Sequence, residues 1–302
     1  MERRALGPFE ISVVGVGTAP LGSTPDWVIW WGPQNEREGV DAIHRALELG
    51  VNWIDTAPFY GWGRAEEIIG RALAGRRDDV LLFTKCGTFP DGDNLRPESI
   101  SRDLEASLQR LRTDHVDLLQ FHDPDPNTPI EESWGTLQEL VREGKVRHGG
   151  LSNHPPDLVE RALAVGPVAA LQHQLSLLAR VTERDVLPFA ERHGLGVLAW
   201  SPLGSGFLTD WFDLGALHED DFRRRHPFAQ LDLSAVRREL ERIAAAHEAT
   251  SAQVALAWVL SRPAVAGAIV GVRNVREAEE LPASAALRLE RDELHALEAA
   301  AP

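Results

Sequence analysis

Short apolar runs recur along the chain between polar or glycine boundaries: ISVVGVG (11–17), VNWID (51–55), VLLFTK (80–85), VDLLQFH (116–122), VRHGGLS (146–152), VAALQH (168–173), GVLAWS (196–201) and AGAIVG (266–271). A strand with one wet face would alternate apolar with polar positions. Near-continuous apolarity instead predicts strands of a parallel sheet covered on both faces. Between the runs the apolar spacing switches to a helical period. Asn35, with Glu38 three residues on, opens a stretch whose Val40, Ile43 and Leu47 share one face, and Gly50 stops it. Arg96-Pro97 opens another, with Ile100, Leu104, Leu108 and Leu111 aligned. Thr128-Pro129-Ile130-Glu131 reads as a capping box with proline at the first helical position, and Gly144 closes that helix. Further helices are expected near 156–164, 183–193, 234–247 and 251–261. Strands each followed by a helix, eight times over, predict an α/β chain folded as one (β/α)8 TIM barrel domain across residues 1–302.

The alternative is an open doubly wound sheet, which usually carries Gly-x-Gly-x-x-Gly after its first strand. Here Gly15-Val16-Gly17-Thr18-Ala19-Pro20 lacks the third glycine, which weakens that reading. Two long segments, 18–35 with Trp27, Trp30 and Trp31, and 202–232 with Phe207, Trp211, Phe212, Phe222 and Phe228, would overhang the C-terminal mouth of a barrel.

A formal net charge of −15 repels phosphate backbones and argues against nucleic acid as a partner. The best basic run, Arg223-Arg224-Arg225-His226, follows Glu219, Asp220 and Asp221 and reads as a solvated or mobile loop. No segment approaches a membrane span, so the expectation is a cytoplasmic protein that does not engage a membrane; its oligomeric state is left open. Cys86, the single cysteine, reads as a small buried strand residue. Two other scarcities are more telling. Of 31 basic residues only Lys85 and Lys145 are lysine, and Tyr60 is the sole tyrosine beside nine tryptophans and ten phenylalanines.

Strand-end residues explain both. Asp55, Lys85 and His122 end three successive predicted strands, and Tyr60 follows Asp55 by five positions. A barrel would bring them to one mouth. An ammonium near a phenol favours the phenolate and is expected to draw the Tyr60 pKa down toward the working range. Asp55 would fix Lys85. Tyr60 would then serve as a general acid on a carbonyl oxygen that His122 orients. Phenylalanine has no such proton, and arginine is differently shaped.

Asp55-x-x-x-x-Tyr60-Gly61, Lys85 and His122 resemble, in order and spacing, the tetrad of the aldo-keto reductases. The likeness runs from Gly15 to about Glu280, and DTAPFYGWGRAEEIIG (55–70) with Trp31-Gly32 is similar to a bacterial NADP(H)-dependent branch. The resemblance implies a barrel that binds an extended nicotinamide dinucleotide without a Rossmann turn and reduces a small-molecule carbonyl. It assigns Ser152, Asn153 and Gln172 to the nicotinamide carboxamide and Trp200 to stacking on the ring. Ser201, Leu203, Ser205, Gly206 and Leu208 fall in its pyrophosphate segment; Gly271 and Arg273 fall at the adenosine 2′-phosphate, and Glu280 beside the adenine. Glu277 and Leu281 depart from its common residues. A carboxylate at 277 would repel a 2′-phosphate that Arg273 would attract, and NADP(H) is favoured over NAD(H). Trp31, Phe59, Trp62 and Phe89 are the expected walls of an apolar or aromatic substrate pocket, although a sugar face would stack there too. No metal is expected, because His122-Asp123-Pro124-Asp125 lacks a second histidine at ligand spacing. Oxidation of a sugar or alcohol, a redox sensor that binds cofactor for a protein partner, and Schiff-base chemistry on Lys85 stay open as alternatives.

Overall fold

The computed structural model describes residues 1–89 and 92–302. Eight parallel strands, β1 (Val14–Gly17), β2 (Trp53–Asp55), β3 (Leu81–Cys86), β4 (Val116–Phe121), β5 (Val146–Ser152), β6 (Ala170–Gln174), β7 (Val197–Trp200) and β8 (Val265–Gly271), close into a barrel in sequence order. Each covers the core of one predicted run. Helices α1 (Glu36–Glu48), α2 (Arg64–Ala72), α3 (Pro97–Leu111), α4 (Ile130–Arg142), α5 (Pro156–Val165), α6 (Val186–His193), α7 (Ser234–Ala246) and α8 (Ser251–Leu260) surround it, and α9 (Val275–Glu279), α10 (Leu281–Ala286) and α11 (Arg291–Ala300) follow β8. Burial on both faces is why the strands read as unbroken apolar runs. Among the described residues no helix is long and apolar enough to cross a membrane.

The run 11–17 divides. Its first residues belong to an antiparallel hairpin, Arg3–Leu6 with Phe9–Ser12, and only Val14–Gly17 enters the barrel. Leu6, Phe9 and Ile11 from that hairpin pack with Trp53, Phe83, Leu118 and Leu198 inside the barrel, closing its N-terminal end. Two glycines make this possible. Gly7 turns the hairpin at φ 53°, where a Cβ would lie 2.5 Å from the Ala169 carbonyl oxygen; a Cβ on Gly15 would lie 2.1 Å from the Trp53 indole. Lys145 sits just before β5 at the same closed end, half-exposed and paired with Glu105 and Glu143.

Helix α1 starts as predicted: the Asn35 side chain accepts from the Arg37 and Glu38 amides, and Gly50 leaves the helix at φ 91°. The capping box predicted before α4 does not form. Thr128 donates its hydroxyl to Asp125 at 2.7 Å, and Pro129 occupies the cap position with no side-chain bond to the helix. Asp125 already holds the Leu95 and Asn127 amides, so it draws the hydroxyl away from the helix start. Cys86 is buried, and burial pushes its thiol well above the ordinary range, which removes it from nucleophilic chemistry.

Two buried histidines outside the barrel interior bear on stability. His154, whose Nδ1 lies 2.6 Å from the Ser152 carbonyl, and His173 are both pulled down to about 4, chiefly by burial. In the unfolded chain each takes a proton near the ordinary imidazole value of about 6.5. Between those values the unfolded chain binds more protons, so acid favours unfolding. Stability is complete above about pH 6.5 and declines as the pH falls toward about 4, by on the order of 3 kcal/mol per histidine. Urea midpoints should drop over that window, and His154→Phe should flatten the slope. A midpoint indifferent to pH there would contradict the neutral burial of both rings.

Candidate active site

The strand ends gather at the C-terminal mouth. Lys85 is 1% exposed, and its ammonium donates to Asp55 Oδ1 at 2.5 Å, to the Thr56 carbonyl at 3.0 Å and to Tyr60 Oη at 3.1 Å. Those bonds use all three of its protons. Since an ammonium cannot accept, the Tyr60 hydroxyl proton points away from Lys85, toward the cavity. The other oxygen of Asp55 accepts from Gln172 Nε2 at 2.8 Å and from Gln120 Nε2 at 3.2 Å. His122 stands edge-on to the Tyr60 ring, with centroids 5.9 Å apart.

Protonation follows from burial. The expectation that Lys85 draws the Tyr60 pKa down is overturned. Burial pushes the phenol up by more than the adjacent ammonium lowers it, and Asp55 and Asp123 add to the rise. Tyr60 therefore keeps its proton near neutrality, as a proton donor must. Lys85 loses some basicity to burial, but the Asp55 carboxylate and the hydrogen bonds to Asp55 and Tyr60 more than restore it, so it stays charged. His122 is held well below the usual histidine value, first by burial and then by Lys85, so its imidazole is neutral. A neutral imidazole can donate a hydrogen bond but is a poor source of a proton.

A cavity of about 840 Å³ opens beside this cluster, which is within the range of cofactor sites. Ser152, Asn153, Gln172, Trp200, Ser201, Leu203, Ser205 and Gly206 line it, as do Gly271, Arg273, Glu277 and Glu280 at its far end. Leu208 does not; it is buried behind the lining. Asn153, Ser201 and Ser205 take left-handed φ values of 59°, 52° and 57°, a conformation that costs energy and concentrates at binding sites. Asn153 Nδ2 donates to the His122 carbonyl at 3.1 Å and to Asp123 Oδ1 at 2.9 Å, and its Oδ1 accepts from Trp200 Nε1 at 3.0 Å. The Trp200 ring is thereby pinned at the strand end.

At the far end Arg273 donates to Gln34 Oε1 at 3.0 Å, to the Trp31 carbonyl at 3.1 Å and to the Pro33 carbonyl at 2.5 Å. It clamps the first long loop to β8. Glu277 is turned onto the Arg273 backbone amide at 2.7 Å and onto Asn274 at 3.1 Å, and burial raises its pKa, which reduces the charge it can set against an anion.

Of the expected pocket walls, Trp31 and Phe59 line the cavity, whereas Trp62 and Phe89 do not. Trp62 is 38% exposed, at φ 54° in the tight turn before α2, and packs against the outer edge of Phe59. Phe89 stands on a short hairpin, Thr88–Phe89 with Gly92–Asp93, beneath the Arg102 guanidinium. Trp27 and Ile29 line the cavity instead, with Trp27 against Phe59 and Tyr60. The basic run is not simply solvated either. Arg223 is 6% exposed, paired twice with Asp221 at 2.9 and 2.7 Å, and lies over Trp31 in the cavity wall. Asp221 and Arg223 two residues apart were the readable sign of that pair. Gln120 was also missed, although it is a polar residue within an apolar strand run and shares a face with His122.

A model of the Aldo/keto reductase family matches residues 13–302. The chain is 35% identical over 286 residues to aldo-keto reductase YhdN of Bacillus subtilis, covering 90% of this chain and 85% of that one. Among solved structures it is similar to the glycerol dehydrogenase AKR11B4 of Gluconobacter oxydans, at 34% identity and a TM-score of 0.88, covering 99% of this chain and 94% of that one. It is also similar to an aldo/keto reductase of Klebsiella pneumoniae in complex with NADP and acetate, at 28% identity and a TM-score of 0.76, covering 97% and 92%.

Proposed function

Because this chain belongs to the aldo/keto reductase family, we propose that it reduces aldehydes or ketones to alcohols with Tyr60 as general acid. The observation that carries this reading is the saturation of Lys85 by Asp55, Thr56 and Tyr60, which leaves the Tyr60 hydroxyl proton free to face the cavity. A reduced nicotinamide supplies a hydride to the carbonyl carbon when bound. Ser152, Asn153, Gln172 and Trp200 would hold that ring, and the Ser201–Leu208 segment with Arg273 and Glu280 would hold the remainder. As negative charge develops on the carbonyl oxygen, Tyr60 gives it a proton. The phenolate formed faces the Lys85 ammonium, whose position Asp55 fixes, while neutral His122 donates a hydrogen bond to the same oxygen. The wall of Trp27, Ile29, Trp31 and Phe59 excludes water and suits an apolar or aromatic carbonyl.

The cofactor is NADP(H) in this reading. Arg273 keeps two N–H groups beyond those given to Gln34, Trp31 and Pro33, and the Glu277 carboxylate is occupied by Arg273 and Asn274. Oxidation of NADPH against a panel of aldehydes, ketones, quinones and sugars tests the activity. In the same assay Arg273→Ala should lower the kcat/KM ratio for NADPH over NADH about tenfold or more. An unchanged ratio would remove Arg273 from cofactor choice, and no turnover on the whole panel would sink the reductase reading.

A further inference from the structure

Gln120 lies on β4 directly across from Lys85 on β3 and Gly150 on β5, buried in the barrel below the tetrad. Its amide donates to Asp55 Oδ2 at 3.2 Å and accepts from Gln172 Nε2 at 3.1 Å, while Gln172 donates to the same Oδ2 at 2.8 Å. The polarity of this triangle is not arbitrary. A carboxylate only accepts, so both glutamines must turn their NH2 groups to Asp55. The Gln120 carbonyl then takes the second proton of Gln172. Both protons of the Gln172 amide are used inside the protein, and only its Oε1 is left for the cavity.

Asn153 is fixed in the same sense. Its NH2 faces the His122 carbonyl and Asp123, and its Oδ1 is left with one lone pair beyond Trp200. The two side-chain amides at the ring site therefore present oxygen acceptors only. A carboxamide offers two N–H donors to match them and a carbonyl that the Ser152 hydroxyl can serve.

Resting on the cofactor reading above, we propose that Gln120 is a positioning residue. It orients the Gln172 amide so that the ring site accepts from a carboxamide NH2, and through Asp55 it ties that amide to the Lys85–Tyr60 pair. Its role is exerted through Gln172 and Asp55, not by touching substrate.

The test measures binding, by quenching of tryptophan fluorescence, for NADPH and for its reduced 3-acetylpyridine analogue, in which CH3 replaces the NH2. Wild type should bind the analogue at least about tenfold more weakly, because two acceptors, one of them the buried Gln172 carbonyl, lose their donors. In Gln120→Met, of similar length but without polar atoms, Gln172 regains a spare N–H that can serve the analogue's carbonyl. The discrimination should then narrow to about threefold or less. A variant that merely loosened the barrel would weaken both ligands equally and keep the ratio. Equal binding of the two by wild type overturns the acceptor polarity. A preserved ratio in a Gln120→Met protein with native circular dichroism overturns the role of Gln120. Loss of quenching by both ligands in wild type would instead strike at the cofactor reading itself.

Discussion

Tyr60→Phe should abolish carbonyl reduction, with kcat falling by about 10²–10⁴-fold, while NADPH still quenches tryptophan fluorescence with near wild-type affinity. The size follows from the proton inventory. Lys85 spends its three protons on Asp55, Thr56 and Tyr60, and His122 is held neutral, so no neighbour can replace the lost hydroxyl. Removing one oxygen leaves the ring contacts with Trp27 and Phe59 in place, so the fold and the cofactor site should survive. Reduction at an undiminished rate would show that the proton comes from elsewhere. The pH profile adds a separate check. The Tyr60 pKa is raised, and kcat should hold across neutral pH and decline only as the phenol deprotonates in strong base.

Lys85→Met should cost both activity and stability. It strands the Asp55 carboxylate, 1% exposed, with two neutral amides as its remaining side-chain partners. Breaking a buried pair from one side typically costs about 3–5 kcal/mol, because a charge is left uncompensated. The urea midpoint should fall accordingly, and the double variant Asp55→Asn, Lys85→Met should recover much of the loss, since no charge then remains buried. Arginine at position 85 should not rescue turnover, because its planar fork cannot reproduce three bonds from one tetrahedral nitrogen. A midpoint unchanged in Lys85→Met would mean that Asp55 does not carry a buried charge.

The barrel was legible because its strands are covered on both faces, which erases alternation and leaves runs ending in the residues of the site. The helices were legible from their apolar faces and terminal glycines. What escaped did so for physical reasons. The closing hairpin, RRAL and FEIS, is short and half polar, because one side faces water while Leu6, Phe9 and Ile11 fill the barrel end. Thr128 has the sequence signature of a helix cap, but Pro129 takes that position and Asp125, three residues back, draws the Thr128 hydroxyl to itself. Arg223 was read from the charge of its neighbours, but the same Asp221 that suggested a wet loop neutralises it in the cavity wall. The direction of the Tyr60 shift was misjudged because sequence shows which charges lie nearby and not how completely the phenol leaves water.

The scarcity of lysine also has a practical face. Lys85 is sealed beneath Tyr60, so Lys145 is the one side-chain amine that a reagent can reach, and it stands at the plugged end of the barrel. A resin, dye or surface coupled to a lysine side chain would therefore attach there. The immobilised protein would stand with its mouth outward, free to exchange ligands with solution.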